Sequence, residues 1–487
     1  EEILFLGEWC KRYDRKDLWK NLKHHVIPYH WDDRKKYFND YQYCFKIYEK
    51  YLPELAKSLN NIHGEAHDTR YWRIIIGYWL LLFIGVTYDR LLSIRNAEKS
   101  GKADYTYLPK SFDPDDFIPD NLNQFIDDSF SDAYNLVIYG EIIKFTGVIK
   151  ISYLELERTK KETKEVTPYI SRSWLKKAKS TIFKYAYNMA PGNFKRVVCV
   201  NSYLRGWEFK KLMLSLSTLP FTPEMTNDNI VTEKIDKTLR NSILLSHNQD
   251  IFERILSHTI PMHIPKIYLE GYRRVSDHVK KNYPSKTKLI FNSNFHSTGE
   301  DCKIWTAQQV ENGSKLALAQ HGGYYGTAKM LDSENYELEI CDKFLSWGWK
   351  DSNNNKIVPL RSGYLSEAAK IKNNNTNGHI LYVLVSLPRY FYRFFSSPIG
   401  PQMINYFDYQ RSFLAHLDDS VKTKIKTRFY PGDYGWNEKV LFKEMGSPGG
   451  LSDSSVPFLE DIQNSRLTII TYNSTCILES FTANLPT

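Results

Sequence analysis

From about residue 195 onward, short β-rich runs alternate with longer amphipathic segments. The first runs are Val197–Leu204, Leu289–Asn292, Lys315–Ala319 and Lys343–Ser346. The segments with helical spacing between them are Glu208–Leu216, Asp236–Leu256, Tyr268–Lys281 and Glu300–Glu311. Strands separated by helices of this length are typical of βαβ units, in which the strands run parallel. The pattern predicts an α/β fold built on a parallel sheet.

The alternation stops in Ser352–Asn377, which is rich in Asn and Ser and is interpreted as a linker. It then resumes with strand Ile380–Leu387, helix Gln402–Leu417, strands Lys424–Tyr430 and Leu467–Thr471, and helix Thr475–Ala483. We therefore predict two Rossmann-like α/β lobes, 136–350 and 379–487, joined by linker 351–378. The sequence begins with Glu and stops just after a helix, so we expect a fragment or processed form with a truncated C-terminal lobe.

Residues 1–135 are predicted to form a largely helical part of the first lobe. Helical spacing covers Tyr37–Leu59 and Tyr71–Ile94, whereas residues 100–135 are rich in Asp and Pro and are interpreted as loop. The most apolar run, Ile74–Val86, has 13 residues, and a membrane span needs about 20. This run is predicted to be a buried core helix.

Composition excludes several classes of protein. The load of 34 Tyr, 26 Phe and 11 Trp excludes a disordered chain. The six cysteines contain no CxxC pair, which excludes a disulfide scaffold and a zinc ribbon and suits a reducing cytosol. No P-loop, GxSxG or complete GxGxxG is present, which counts against P-loop NTPases, classical α/β-hydrolases and common dinucleotide oxidoreductases. No metal site is predicted.

Positive charge is concentrated in one stretch. The net charge is +9, and Arg158–Lys211 alone carries 14 Lys and Arg residues against three acidic residues. Such a patch attracts an anionic partner, for example a lipid headgroup or an acidic glycan. A solvated face with no partner is the alternative. Nucleic acid is not expected as a partner, because no zinc-finger, RRM or KH signature is present.

The densest group of possible catalytic residues lies in Leu289–Gly326. Gln320 and His321 follow a predicted strand and precede two glycines, which allow a ligand to approach the backbone closely. His321 can serve as an acid, a base or a hydrogen-bond donor near neutral pH. Glu300 and Asp301 lie at the other strand-to-helix turn. If the two strands are neighbours, all four residues face one crevice. Alternatively, the acids only cap a helix and the histidine only satisfies a turn carbonyl.

Two further groups of residues suit a nucleotide. Arg428 and Tyr430 lie in RFYPGDY after a predicted strand, where a cation and an aromatic ring could hold a phosphate and a base. Arg389, after another strand, is a further anion-binding residue by this reasoning. An ordinary turn and a surface arginine are the alternatives.

The segment YNSTCILE places Asn473, Ser474 and Thr475 at the start of a predicted helix. Free N–H groups and the helix dipole bind phosphate at such a position. Glu479 lies one turn further along and could accept hydrogen bonds from a ribose. Capping of the helix without any ligand is the alternative.

Several blocks resemble a known family. NSNFHSTGEDCKIWTAQ, KLALAQHGGYYG, KFLSWGW, IPKIYLEGY and RFYPGDYGW are similar to bacterial transferases encoded in surface-polysaccharide loci. That family is similar to retaining β-Kdo glycosyltransferases of O-antigen and capsule assembly, which have a GT-B-like architecture. The resemblance spans nearly the whole chain.

The resemblance implies metal-independent transfer from a nucleotide sugar, such as a CMP-linked Kdo or related ulosonate, to a glycan or lipid-linked acceptor. It implies that lobe 136–350 holds the acceptor and catalytic groups Glu300, Asp301, Gln320 and His321. Lobe 379–487 would bind the nucleotide through Arg428, Tyr430, Asn473, Ser474, Thr475 and Glu479. To these we add Arg389, which is predicted from its place after a strand and not from the resemblance. We expect a cytoplasmic enzyme, peripheral to the inner membrane, with no cofactor beyond its donor. The alternatives are a CDP-polyol phosphotransferase of the same architecture and a non-catalytic, membrane-associated scaffold.

Overall fold

The computed structural model describes residues 2–110, 113–155, 191–204, 206–219, 233–247, 249–371, 377–396, 398–444, 450–452 and 455–487. The α-helices are α1 Lys16–Trp19, α2 Arg34–His63, α3 Thr69–Lys99, α4 Leu122–Ser129, α5 Asp132–Thr146, α6 Gly206–Ser215, α7 Lys237–Asn241, α8 Ile251–His263, α9 Tyr272–Asn282, α10 Glu300–Glu311, α11 Asp332–Ile340, α12 Met403–Ala415, α13 Asp419–Lys422, α14 Glu438–Glu444, α15 Phe458–Gln463 and α16 Thr475–Thr482. The strands are β1 Ile3–Phe5, β2 His24–Val26, β3 Tyr105–Pro109, β4 Lys150–Leu154, β5 Val197–Asn201, β6 Leu289–Asn292, β7 Lys315–Ala319, β8 Lys343–Ser346, β9 Ile357–Pro359, β10 His379–Val383, β11 Ile425–Arg428, β12 Gly450–Leu451 and β13 Ser465–Ile470.

Two parallel sheets form the α/β framework, which confirms the predicted mixed α/β class. The larger sheet has the order β5-β6-β7-β8-β9 and the smaller one the order β12-β11-β10-β13. Every strand pair in both sheets is parallel. Strand β9 lies inside the segment interpreted as a linker and extends the larger sheet beyond β8.

The N-terminal part is built on the long helices α2 and α3. Each begins at an aspartate, Asp33 or Asp68, whose carboxylate accepts hydrogen bonds from amides of the first turn. Helix α3 is long and apolar enough to cross a membrane by length and composition. However, 94% of its most apolar window is buried inside the protein, as expected of a core helix.

Residues 100–135 differ from the predicted loop, because they contain β3, α4 and the start of α5. Strand β3 pairs with β4, and β1 pairs with β2, so two small parallel sheets flank the helices. The predicted helix Asp236–Leu256 is divided into α7 and α8, each with its own aspartate N-cap. Aspartates within a polar stretch favour new helix starts over continuation of one helix. Most of the basic stretch Arg158–Lys211 lies outside the described residues.

The two sheets share one hydrophobic core. Strand β10 leads into a segment whose Phe391 and Phe394 pack on Trp31, with ring centroids 4.7 and 5.1 Å apart. The same cluster of buried side chains includes residues of α2, α3 and both sheets. The carboxyl ends of β7 and β13 are therefore held in a fixed relation, and the loops that follow these strands meet.

Candidate active site between the two sheets

The loop 320–326 follows β7 and is anchored at both ends. Gln320 Oε1 accepts hydrogen bonds from the Trp347 backbone N–H and from Trp349 Nε1, both at 2.8 Å. Its Nε2 donates to the carbonyl of Gly322 at 2.8 Å. All three partners are groups of the protein itself. The role of the Gln320 side chain is therefore to hold the loop in shape.

The far end of the loop is held by α11. The Tyr325 hydroxyl donates to Glu337 Oε2 at 2.8 Å, and the Gly326 N–H donates to Glu334 Oε2 at 3.0 Å. The loop is thus fixed to the larger sheet at one end and to α11 at the other.

The middle of this loop touches the start of α16, which follows β13 of the smaller sheet. The Gly323 N–H donates to Thr475 Oγ1 at 3.0 Å, and Asn473 Nδ2 donates to Thr327 Oγ1 at 2.8 Å. A side chain at Gly323 would place its Cβ 2.6 Å from the Ser474 carbonyl oxygen. The structure therefore brings the His321-Gly322-Gly323 sequence and the Asn473–Thr475 segment together.

The start of α16 has the properties of an anion site. Its N-cap, Ser474, makes no capping hydrogen bond through its side chain, and the residue is 4% exposed. The first amides of a helix have no acceptor within the helix, and the dipole concentrates positive potential there. Simple capping by serine therefore does not account for this helix start.

His321 lies beside a second histidine and a buried glutamate. The His296 and His321 rings are 4.8 Å apart. His296 Nδ1 is 3.0 Å from Glu337 Oε1, and the same oxygen accepts the His296 backbone N–H at 3.2 Å. His321 Nδ1 is buried and has no hydrogen-bond partner among the described residues. The His296–Glu337 contact fixes one ring, whereas the other keeps a nitrogen available.

Burial controls the protonation of this group. It lowers the pKa of His321 to about 4, with Glu337 opposing and His296 and Arg393 reinforcing the shift. Burial likewise lowers the pKa of His296 to about 3 and raises that of Glu337. His321 is therefore a neutral imidazole at pH 7, able to accept a proton.

The same three residues are the one group in the described part of the chain with the composition of a metal site. One ligand atom each from His296, His321 and Glu337 lies within 4.8 Å of the others. However, both Glu337 oxygens already accept hydrogen bonds. The Arg393 charge also acts on both imidazoles. These contacts fit an acid–base group better than a cation site.

Glu300 and Asp301 lie at the start of α10, as predicted, and are engaged elsewhere. Glu300 Oε1 accepts the Leu122 N–H at 3.4 Å and lies 3.5 Å from Lys303 Nζ. Asp301 Oδ2 accepts the Tyr283 hydroxyl at 2.7 Å. Both residues are buried, and these contacts tie α10 to its neighbours.

The two predicted anion-binding arginines are both in ion pairs. Arg389 Nη2 is 2.5 Å from Asp132 Oδ1, and its Nη1 donates to the Trp9 carbonyl at 2.6 Å. Arg428 pairs with Asp461 and donates to the Val456 carbonyl. Each of the two guanidinium groups therefore contacts a carboxylate of the protein.

The remaining predicted nucleotide-binding residues are Tyr430 and Glu479. Tyr430 is 39% exposed and stacks on Tyr434 with ring centroids 5.8 Å apart. Glu479 Oε1 accepts the Tyr364 hydroxyl at 3.0 Å, and burial raises its pKa. Tyr430 is accessible to a ligand, whereas Glu479 is buried against Tyr364.

Sequence reasoning did not select His296, Glu337 or Arg393. His296 lies in the polar turn after β6, but nothing in the turn distinguishes it from its neighbours. Glu337 lies on a helix with three other acidic residues, which resembles an ordinary solvated face. The available signal for Arg393 was its position as the second arginine of the aromatic run RYFYRFF.

One of three comparisons with known proteins identifies a family. The family model described as LIC12162 family transferase matches residues 1–487. No curated protein and no solved structure matches the chain.

Proposed function

Because the chain belongs to the LIC12162 family of transferases, we propose that it is a glycosyltransferase. It moves a sugar from a nucleotide donor to a cell-surface polysaccharide or a lipid-linked acceptor. The donor we favour is a CMP-linked ulosonate, as in the Kdo enzymes that the sequence resembles. Two parallel sheets with loops meeting at their carboxyl ends are compatible with a GT-B-like enzyme, in which the ligand occupies that position.

One observation carries the proposal: the loop containing His321 touches the start of α16. Donor phosphates would lie at the free amides near Ser474 and Thr475, where the helix dipole stabilises negative charge. The anomeric carbon would then lie toward His321. A helix start suited to phosphate and a proton-accepting imidazole on adjacent loops support transfer from a nucleotide sugar.

The chemistry follows from the neutral state of His321. In the net reaction the acceptor oxygen bonds to the anomeric carbon, and the nucleotide phosphate leaves with the electron pair of the broken C–O bond. His321 takes the proton of the acceptor hydroxyl. We assign the acid–base role to His321 and not to Glu300 or Asp301, because the contacts of both carboxylates hold α10 in place.

The remaining parts of the proposal concern the metal requirement, the anomeric configuration, the cellular location and a membrane partner. We propose that transfer is metal-independent and retains the anomeric configuration, with the acceptor oxygen entering on the same face of the sugar from which the nucleotide phosphate departs. We also propose that the enzyme works in the cytoplasm at the inner membrane. The basic stretch 158–211 would bind an anionic membrane surface. A vesicle-sedimentation assay with and without anionic lipid tests the last point, and NMR of the product's anomeric signal tests retention.

Nucleotide release is the direct test. The purified chain is incubated with CMP-, UDP- and GDP-sugars, and the released nucleotide is measured. We expect release from one class of donor and loss of release in His321→Gln. His247→Gln, which replaces an exposed histidine, is the matched control and should retain activity. A folded protein that neither binds nor releases any nucleotide refutes the proposal. Release of CMP with phosphate left in the product identifies a CDP-polyol phosphotransferase instead.

A further inference from the structure

Arg393 reaches from the smaller sheet to the histidine group. It lies in the segment after β10, with its guanidinium carbon 5.1 Å from the Tyr392 ring and 4.8 Å from the Phe395 ring. The hydroxyl of Tyr78 is among the groups that act on its pKa, after burial and Tyr392. The Tyr78 ring is in turn 5.2 Å from the ring of His296. Tyr78 therefore neighbours His296, whose ring lies 4.8 Å from that of His321, and the Arg393 charge acts on all three residues.

The partners of Arg393 are phenols and not carboxylates. Burial opposes the charge of Arg393, whereas the phenols of Tyr392, Tyr78 and Tyr324 act on its pKa in the opposite direction. No carboxylate of the described residues lies within 4.0 Å of its guanidinium. Asp332, whose burial-raised pKa is lowered in part by the Arg393 charge, uses Oδ2 to accept the Phe394 N–H at 2.8 Å. A half-buried guanidinium without a carboxylate partner is costly unless an anion binds there.

Arg393 is distinct from Arg428, the arginine whose charge acts on the first turns of α16. Cys476 and Glu479, on the first turns of α16, respond to the charge of Arg428, which is already paired with Asp461. Burial lowers the pKa values of His296 and His321, and the charge of Arg393 lowers both further. The site thus has two positive regions, of which the one at Arg393 has no protein counter-charge in contact.

We propose that Arg393 binds a carboxylate or phosphate group carried by the donor sugar or by the acceptor, separate from the nucleotide phosphates. This inference rests on the proposed function for the identity of the ligand, but not for the existence of the anion subsite. The planar guanidinium matches either oxyanion with two parallel hydrogen bonds. The aromatic rings of Tyr78, Tyr392 and Phe395 lower the local dielectric, which strengthens this attraction.

Calorimetric titration of Arg393→Gln and Arg393→Lys tests the subsite. Four probes separate the sources: CMP alone, CMP-N-acetylneuraminate for a donor carboxylate, free N-acetylneuraminate, and glucose 1-phosphate for an acceptor phosphate. We expect Arg393→Gln to weaken the binding of at least one acidic probe by about 10- to 100-fold and the binding of CMP by less than about twofold. Arg393→Lys should lose less affinity for the acidic probes, because lysine keeps the positive charge but cannot form the two parallel hydrogen bonds of a guanidinium. Arg254→Gln removes another arginine that covers an aromatic ring, 5.4 Å from Phe145, and should change nothing.

The outcomes separate the two proposals. If CMP weakens as much as the acidic probes, Arg393 binds the nucleotide phosphate and the subsite proposal is wrong. The subsite proposal is also wrong if Arg393→Gln melts at the same temperature as the wild type and binds every acidic probe as tightly. If the wild type binds no nucleotide but binds free N-acetylneuraminate or glucose 1-phosphate through Arg393, the subsite stands and the proposed function fails. Should Arg393→Gln not fold, the Arg393→Lys titrations decide.

Discussion

The contact between the two loops makes a sharp prediction at Gly323. In Gly323→Ala the new Cβ would lie 2.6 Å from the Ser474 carbonyl oxygen, 2.8 Å from its carbonyl carbon and 2.9 Å from the Thr475 nitrogen. All three atoms belong to the backbone, so no flexible side chain can move aside. The two segments must separate by about 0.8 Å to reach an ordinary contact of about 3.4 Å.

The expected cost follows from overpacking. A strained insertion of this kind costs about 1–3 kcal/mol, and 2 kcal/mol corresponds to a fall in Tm of about 4–8 °C for a large domain. Activity should fall more than stability, because a misplacement of about 1 Å between reacting groups can cost about 100-fold in rate. Differential scanning fluorimetry and the nucleotide-release assay measure the two effects.

Gly322→Ala is the matched control. Its Cβ would meet only Thr475 Oγ1, at 3.6 Å, which is an ordinary contact with a side chain. We expect this variant to stay close to wild type in both assays. If Gly323→Ala melts and reacts like Gly322→Ala, the two loops do not touch in solution and the proposed site loses its basis.

Three further results are expected. Burial raises the pKa of Asp332 to about 7, so its contribution to stability is full below pH 4 and is lost progressively as the pH rises from 4 to 7. Asp332→Asn should remove about 2–3 kcal/mol of pH dependence between denaturant titrations at pH 5 and pH 8. If His321 is the base, with a pKa of about 4, kcat/KM should be flat from pH 6 to 8, and a rise centred near 6.5 contradicts this assignment. Arg389→Gln should lower the free energy of unfolding by about 2–3 kcal/mol through loss of the Asp132 pair and leave the Kd for CMP unchanged; weaker CMP binding shows that Arg389 contacts the nucleotide.

Much of the secondary structure could be predicted because its signals are local. Strands β6, β7 and β8 coincide with short apolar runs bounded by polar turns, and α10 begins at Glu300 as its pattern indicates. The loop prediction for 100–135 was wrong, because proline and aspartate also mark the starts of helices. Helix α4 begins after Asn121, whose side chain accepts the Gln124 N–H.

The site was only partly predictable, because ion pairs depend on partners that are distant in the sequence. Arg389 has the sequence context of an anion-binding residue, yet its partner Asp132 lies 257 residues away. Arg393, four positions later, has no carboxylate in contact among the described residues. Nothing local distinguishes the two arginines. Only the packing of the segment after β10 against the N-terminal helices decides which one is neutralised.

Burial links the parts of the site to one another. The apolar surroundings that keep His321 neutral also strengthen the attraction of Arg393 for an anion, since both effects follow from a low local dielectric. An anion bound at Arg393 would offset the charge that helps to lower the pKa of His321 and would make that imidazole more basic. The proton acceptor would thus become stronger when an acidic ligand is in place, so that ligand binding and proton transfer favour one another.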